Sequence, residues 1–543
     1  MRLPAATSLF LLLAIYSGAV QASVEEALRN ITEHLILDGD GQLPTGGVVF
    51  QPAIIEAFYS EDNYQSVWND REQAVRVLDI LAGAAEDGLN PEDYHYATLQ
   101  TMLDENELSW TTGNRSRALF DVLLSDGVIL YIRHLSQGKV DPRQMDPSFN
   151  YSRLEFEPTK ISTALRRAVS EDTIDRIMED LRPQQRFYQQ MTTALASYRD
   201  LAAGEAFVDI PDDVVLKPGN DHANVLALRK RLVGSGQLDP AFESSTLFDT
   251  QLEAAVRRFQ KDNDLDVDGI VGKQSYALLN LSWADRVDAL RLNMDRLRWV
   301  YRDISDDLIL VNIAGFELYY IRDNALIWDS PVMTGTIQHQ TPVFTEQLKY
   351  LEFNPTWTVP RSIISRSLFP KFTANPQYAV DNNYQLTDRN GQKADPLAID
   401  WSAYNSSNFP YSVVQQPGEN NALGRVKFIF PNQHAIYLHD TPSRALFSRS
   451  SRAFSAGCVR VKNPLQFAEI LLDDPDKWPL QKIRDLVASD KTKERVYLPR
   501  KVDVMLMYWT ASPTSDGGVQ FHPDIYNKDP AMLRALNAPP PVY

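Results

Sequence analysis

The sequence predicts a multidomain α+β protein, and three observations lead to that prediction. The chain has 543 residues, which is too many for one hydrophobic core, so about three domains are expected. Helical spacing of apolar residues prevails from residue 23 to about residue 210, whereas short runs of β-branched and aromatic residues begin at Leu308. A hydrophobic content of 44% is sufficient for folded cores and excludes disorder along the whole chain.

The N-terminus has the features of a cleaved signal peptide over residues 1–22. Arg2 precedes the apolar run Leu9–Ile15, and small residues lead to a cleavage point after Ala22. The apolar run is too short for a membrane span, and no later run of about 20 apolar residues follows. We therefore expect an exported protein with no transmembrane span in the mature chain. The net charge of −17 further argues against nucleic acid or an anionic membrane as partner.

The region 23–215 is predicted to be a helical scaffold domain. Segments such as Gln73–Ala85 and Arg117–Leu135 carry apolar residues at three- and four-residue spacing, and turns such as Asp87–Pro91 separate them. No group of residues in this region has the pattern of a catalytic site.

The region 216–283 is predicted to be a three-helix module. Its loop Asp264–Gly272 matches the first half of a calcium-binding EF-hand loop, but Ser275 stands where the bidentate glutamate is required. Calcium is therefore not expected. The combination of Ala255–Gln260 with Asp268–Gly272 resembles a peptidoglycan-binding module of the common three-helix type, and this resemblance implies binding to cell-wall glycopeptide.

The remaining region, 284–543, is predicted to be a mainly β domain that follows an amphipathic helix at 284–300. Strands are expected at 308–313, 316–322, 325–330, 349–360, 426–430 and 435–439. A helix is expected at 464–472, and a final hairpin at 502–518. Between about 361 and 422 the strand pattern lapses. Irregular stretches of this length are more often functional than structural, so we predict a capping insertion over a site, with a passive insertion as the alternative.

Cys458 is the sole cysteine of the chain, which is unusual in an exported protein because unpaired thiols form wrong disulfides. A thiol needs a base to become a nucleophile, and strand alternation places His439 on the same face as Tyr437, shortly before Cys458. Gly457 permits a tight turn that aims N–H groups at one point. Arg460 has the geometry to hold a carboxylate. A small buried thiol with Arg460 on the surface explains the same residues equally well.

Resemblance to a known family favours the nucleophilic thiol over the buried structural one. Tyr437–Asp440 followed by Ser455–Val461 resembles the signature of L,D-transpeptidases with a YkuD-type catalytic domain. The wider family has a second histidine before the glycine, whereas this chain has Ala456. The order of signal, scaffold, peptidoglycan-binding module and catalytic domain with a capping subdomain resembles one branch of that family and covers nearly the whole mature chain.

The resemblance implies an acyl transfer without cofactor or metal. Cys458, deprotonated by His439, would attack a stem tetrapeptide, and the thioester would pass to a diaminopimelate amine of a second stem to give a 3-3 cross-link. N–H groups near Gly457 and Cys458, with the Tyr437 hydroxyl, would stabilise the oxyanion. Such an enzyme would act in the periplasm in cell-wall biogenesis and cell shape, with other cell-wall synthesis proteins as further partners.

Four residues are expected to contact substrate: Arg460, Ser455, Trp357 and Asn354. Two alternatives stay open at this point. The same acyl-enzyme could be resolved by water, by a free D-amino acid or by a protein lysine. In a second alternative, the chain is a non-catalytic scaffold that binds the cell wall.

Overall fold

The computed structural model describes residues 23–37, 40–44, 46–104, 114–204, 209–263, 265–489, 491–514 and 517–543. The predicted signal peptide and Asp264 lie outside these ranges. In the described part of the chain, no helix is long and apolar enough to cross a membrane. The N-terminal region is helical, as predicted. Its helices are α1 (Val24–Leu37), α2 (Pro52–Ser60), α3 (Arg71–Ala82), α4 (Tyr96–Asp104), α5 (Asn114–Gln137), α6 (Pro142–Met145), α7 (Pro158–Ser170), α8 (Ile174–Leu181) and α9 (Arg186–Gly204).

Helix α5 is the centre of this helical region and is buried along most of its length. Two of its carboxylates are fully buried and bind neighbouring segments. Asp121 accepts hydrogen bonds from the Tyr59 hydroxyl (2.7 Å) and the Ser66 hydroxyl (2.5 Å), and Asp126 accepts from the main-chain N–H of Gln51 (2.8 Å). Buried carboxylates persist only when such donors satisfy them, so α5 fixes the loops around it.

The three-helix module consists of α10 (Ala223–Gly234), α11 (Thr250–Asp262) and α12 (Lys273–Leu279) around its own apolar core. In its acidic loop, Asp268 accepts from the N–H of Ile270 and from the Gln260 side chain, both at 2.8 Å. Asp266 instead accepts from the N–H of Ser450 at 2.9 Å. These carboxylates therefore bind the loop backbone and the neighbouring β domain.

Helix α13 (Trp283–Arg298) joins the helical region to the β domain. A capping box between Ser282 and Asp285 begins it. Asp295 accepts from the N–H groups of Lys139 (2.8 Å) and Val140 (3.1 Å) in the scaffold, while Asn293 accepts from the N–H of Thr510 (3.0 Å) in the β domain. The helix is thus hydrogen-bonded to both sides.

The β domain carries fifteen described strands and six further helices. The strands are β1 (Asp307–Asn312), β2 (Glu317–Arg322), β3 (Ala325–Gly335), β4 (Phe344–Phe353), β5 (Trp357–Thr358), β6 (Tyr384–Thr387), β7 (Lys393–Ala394), β8 (Ser412–Gln415), β9 (Val426–Ile429), β10 (Leu438–His439), β11 (Ala453–Ser455), β12 (Val459–Val461), β13 (Glu494–Met507), β14 (Ala511–Pro513) and β15 (Val519–Phe521). The helices are α14 (Arg361–Ile363), α15 (Phe369–Ala374), α16 (Gln377–Asp381), α17 (Pro464–Leu472), α18 (Leu480–Ala488) and α19 (Asp529–Asn537).

Nine of the described strands form one sheet in the order β11-β3-β12-β10-β9-β4-β13-β1-β2. Because β2 also pairs with β3, eight of these strands close into a ring. The short strands β10 and β12 lie side by side and run parallel, although many residues separate them in sequence. This pairing brings the two predicted motifs together.

The insertion between β4 and β9 is more regular than the sequence predicted. Strands β5, β8, β6 and β7 form a separate four-stranded sheet, and α14 to α16 with a π-helical turn at Ile364–Leu368 pack against it. Its own core includes Phe372, Trp401 and Phe409. The prediction that the strand pattern is interrupted between about 361 and 422 was therefore wrong, because the strands here have only two to four residues. We call residues 357–415 the cap.

The C-terminal hairpin also differs from the prediction. Residues 494–507 form one long strand between β1 and β4, and the hairpin is β14 with β15, which packs on the scaffold helix α9. The rings of Tyr198 and Phe521 lie 5.5 Å apart, and the Gln190 side chain donates to the Thr514 carbonyl at 3.2 Å. The tail therefore joins the β domain to the scaffold.

Candidate active site

The parallel pair β10–β12 brings four of the predicted site residues together. Leu438 pairs with Val459, and His439 pairs with Arg460, so Tyr437 lies opposite Cys458. Leu438 and Val459 are fully buried in the core. Successive strand residues face opposite sides of a sheet. The residues on either side of Leu438 and Val459 therefore share the face that points away from the core; they are Tyr437, His439, Cys458 and Arg460. The rings of Tyr437 and His439 are accordingly 5.6 Å apart.

The turn before Cys458 is fixed by its neighbours. Gly457 has a φ of +111°, a conformation that L-residues with a side chain avoid. A Cβ atom there would lie 3.2 Å from Ile436 Cδ1. The Thr341 hydroxyl donates to the Gly457 carbonyl at 2.8 Å and accepts from the Gly335 N–H at 2.9 Å. The turn that presents the thiol is therefore held against β3 and the loop after it.

The main-chain donors near the thiol are not equivalent. The Gly457 N–H donates to the Ser455 hydroxyl at 3.0 Å, so it is already engaged. The Cys458 N–H has no acceptor among the described residues. Ser455 is 4% exposed, and this contact gives it a part in shaping the turn.

His439 is buried and oriented by its own main chain. Its Nδ1 donates to the Asp440 carbonyl, which leaves the lone pair on Nε2. Burial, and then the charge of Arg460, lower the pKa of His439 to about 3, while the Asp440 carbonyl opposes that shift. The imidazole is thus neutral at pH 7 and able to accept a proton at Nε2. The Asp440 carboxylate instead accepts from the N–H of Arg425 at 2.8 Å.

Cys458 is partly exposed, and its Sγ lies 3.8 Å from the carbonyl oxygen of Ala435. Burial raises the pKa of the thiol, opposed by hydrogen bonds from Tyr437 and by the charges of Lys427 and Arg460. Burial and the adjacent sulfur raise the pKa of Tyr437, so its hydroxyl keeps its proton. The resting site therefore holds a neutral thiol beside a neutral imidazole.

Two cations flank these groups. Arg460 is half-buried, and its Nε is buried without a partner. Lys427 of β9 pairs with His439 on the other side, and its Nζ lies 3.6 Å from the centroid of the Tyr437 ring. Sequence reasoning missed Lys427, because its place beside His439 depends on a strand register that one sequence does not reveal.

The side chains of the other two predicted substrate contacts, Asn354 and Trp357, are engaged by neighbouring segments. Asn354 is 2% exposed, and its amide donates to the carbonyls of Leu486, Ser489 and Lys491 at 3.0–3.3 Å. The Asn354 amide nitrogen thus binds the main chain of the segment after α18, and its contact with substrate stays a prediction. Trp357 pairs with Gln415 within the cap and packs against the core of the cap.

The cap contacts the β domain next to the catalytic turn. The guanidinium of Arg366 donates to Nε2 of His339 at 2.9 Å, and His339 lies in the loop whose carbonyls approach Gly457. This loop therefore supports the turn on one side and the cap on the other. No group of three or more potential metal ligands occurs among the described residues.

Comparisons with known proteins divide the chain into three matched regions. Residues 53–195 match the model of a scaffold domain, residues 221–279 that of a putative peptidoglycan binding domain, and residues 306–504 that of the L,D-transpeptidase catalytic domain. A putative L,D-transpeptidase of Haemophilus influenzae is 40% identical over 240 residues. The match covers 44% of this chain and spans about half, 48%, of that relative.

Two solved structures of L,D-transpeptidases are also similar. The one from Xylanimonas cellulosilytica is 14% identical, covers 56% of this chain and 100% of its own, and has a TM-score of 0.19. The one from Stackebrandtia nassauensis is 12% identical, covers 56% of this chain and 97% of its own, and has a TM-score of 0.20. At these scores the structural likenesses carry no argument about the site.

Proposed function

Because residues 306–504 belong to the L,D-transpeptidase catalytic domain family, we propose that this chain forms 3-3 cross-links between peptidoglycan stem peptides through a thioester on Cys458. The observation that carries the proposal is the block of Tyr437, His439, Cys458 and Arg460 on adjacent parallel strands. Such a block unites a nucleophile, a base and an oxyanion donor, which acyl transfer requires, and places a cation beside them.

The first half-reaction is acylation by a stem tetrapeptide. Nε2 of His439 takes the thiol proton as Sγ of Cys458 attacks the carbonyl between the third and fourth residues. The raised pKa of the thiol and the lowered pKa of His439 favour proton transfer during the attack rather than a thiolate formed beforehand. The free N–H of Cys458 and the Tyr437 hydroxyl donate to the oxyanion.

Collapse of the tetrahedral intermediate breaks the peptide bond. The terminal D-alanine leaves with the proton held by His439, and the acyl group stays on the sulfur. In the second half-reaction, the side-chain amine of diaminopimelate in a neighbouring stem attacks the thioester and gives its proton to His439. The thiol is then restored, and a 3-3 cross-link has formed.

The surrounding regions fit this reaction. The cap, joined to the catalytic side through Arg366 and His339, would exclude water that competes with the acceptor amine. The peptidoglycan-binding module would hold the enzyme on the wall, and the predicted signal peptide would bring it to the periplasm. Other cell-wall synthesis proteins are proposed as further partners.

Incubation of the purified protein with tetrapeptide muropeptides, followed by mass spectrometry, tests the proposal. We expect dimers with a 3-3 cross-link from the wild type and none from Cys458→Ala. Tripeptides alone would instead indicate an L,D-carboxypeptidase, and products with a new terminal D-amino acid an exchange enzyme. Binding to isolated wall without any product, and without labelling of Cys458 by a carbapenem, would indicate a non-catalytic scaffold.

A further inference from the structure

A row of ionisable side chains crosses the sheet at the level of His439. Glu352 of β4 pairs with Lys427 of β9, Lys427 with His439 of β10, and His439 with Arg460 of β12. Residues paired directly across strands share one face of a sheet. Neighbouring strands lie about 4.8 Å apart, so the Cα atoms of Lys427 and Arg460 are about 10 Å apart, with the catalytic histidine between them.

Neither cation is neutralised within the described part of the chain. No carboxylate oxygen there lies within salt-bridge distance of the Lys427 ammonium, which rests on the face of Tyr437. The nearest acidic residue in the row, Glu352, already accepts from Arg495 at 3.2 Å. The guanidinium of Arg460 makes no hydrogen bond or ion pair with any described residue, and its Nε is buried.

Two half-buried positive charges at one site are costly unless an anion joins them. Burial lowers the pKa of Lys427, while the charges of Glu352 and of the Cys458 sulfur oppose that shift. Burial also lowers the pKa of Arg460. The chain as a whole carries a net charge of −17, so the positive charge at this site is opposite in sign to the net charge of the protein. An arrangement of this kind selects anionic ligands.

We propose that Lys427 and Arg460 each bind one carboxylate of the acyl donor, so that the site selects a peptide with a carboxylate on both sides of the scissile carbonyl. One is the terminal carboxylate of the residue that leaves, and the other lies on the side chain of the residue that is transferred. This inference rests on the proposed function and adds a requirement for an acidic donor side chain. His439, the base for the thiol, lies between the two cations, and Cys458 directly precedes β12, so the scissile carbonyl binds beside this row.

Four synthetic donor peptides test the proposal: the diacid, the peptide with an amidated side chain, the peptide with an amidated C-terminus, and the doubly amidated peptide. Formation of the acyl-enzyme is followed by intact-protein mass spectrometry, which gives kcat/KM for acylation. Each amidation should slow the wild type about 10- to 100-fold, the range for one charge-assisted hydrogen bond. In Lys427→Met, only one of the two amidations should still lower kcat/KM for acylation, and in Arg460→Met only the other should.

Lys349→Met is the matched control, because Lys349 is an exposed lysine of the same sheet whose ammonium contacts Gln347. It should keep the wild-type response to both amidations, and Lys427→Arg should keep part of it. The proposal is overturned if Lys427→Met slows all four donors by the same factor, since Lys427 would then act on the thiol or on folding. It is equally overturned if the wild type does not distinguish the donors.

Binding of the same peptides to Cys458→Ala, measured by calorimetry, separates this inference from the proposed function. A preference for the diacid that Lys427→Met removes supports the charge selection even if the wild type forms no acyl-enzyme. Absence of turnover with every donor would instead count against the proposed transpeptidase. Equal affinities for diacid and amidated peptides would contradict the charge selection whatever the turnover.

Discussion

Substitution of Gly457 by alanine is expected to damage the site more than the fold. The residue has a φ of +111°, and placing a residue with a Cβ in a conformation of this kind costs about 1–3 kcal/mol. The new methyl group would also approach Ile436 Cδ1 to 3.2 Å, and relief of such a contact costs on the order of 1 kcal/mol more. The free energy of unfolding should therefore fall by about 2–4 kcal/mol.

Relaxation of this strain moves the neighbouring thiol. A displacement of about 1 Å in a reacting group lowers a rate about 100-fold, so we expect Gly457→Ala to slow acylation of Cys458 by a carbapenem by about that factor. The assay is the rate of mass increase of the intact protein, combined with urea unfolding monitored by circular dichroism.

Gly391→Ala is the matched control for the backbone. Gly391 also has a positive φ, +81°, but a Cβ there would meet no atom within 4 Å, and the residue lies in a turn of the cap. This variant should lose only about 1–2 kcal/mol and keep the wild-type acylation rate. Acylation of Gly457→Ala at the wild-type rate would show that this turn does not set the position of the thiol.

Three further predictions concern the thiol, the cap and Asn354. Because burial raises the pKa of Cys458, its alkylation by iodoacetamide without substrate should increase with pH through pH 9, above the ordinary range of a thiol; a plateau below pH 7 would reveal a preformed thiolate. Arg366→Met removes the contact between the cap and His339, so the ratio of hydrolysed to cross-linked product should rise severalfold, whereas Arg389→Met, at an exposed position of the cap, should leave it unchanged; equal ratios in the two variants would show that this contact does not exclude water. Asn354→Ala should lower the free energy of unfolding by about 1–3 kcal/mol, since three carbonyls lose their donor, without changing the KM for the donor; a raised KM at unchanged stability would restore Asn354 to the substrate site.

Much of the fold could be predicted because its periodicity is local. The apolar spacing in α11, α13 and α17 gave those helices nearly to their ends, and the change to strands near Leu308 located the β domain. The cap was misread because strands of two to four residues, such as β7, carry no detectable alternation. Helices α18 and α19 also went unpredicted.

The site residues could be predicted only where they lie within the two motifs, Tyr437–Asp440 and Ser455–Val461. Residue type and spacing singled out Cys458 and His439, the resemblance to L,D-transpeptidases favoured them over a buried thiol, and the structure places their strands side by side. Lys427 could not be found, because its role depends on a pairing between distant strands. Asn354 was predicted to contact substrate from its place before the cap, and sequence could not reveal that its amide nitrogen binds the main chain of the segment after α18.

The mass of the intact protein during reaction with a stem tetrapeptide shows directly whether Cys458 carries the acyl group. We expect the intact-protein mass to increase by that of the tripeptide acyl group. Hydroxylamine should release this adduct as it does a thioester, and peptide mapping should locate it on Cys458. Cys458→Ala should show no such adduct. Formation of 3-3 dimers by the Cys458→Ala variant, or an adduct on another residue, would contradict the claim that this thiol carries the acyl group.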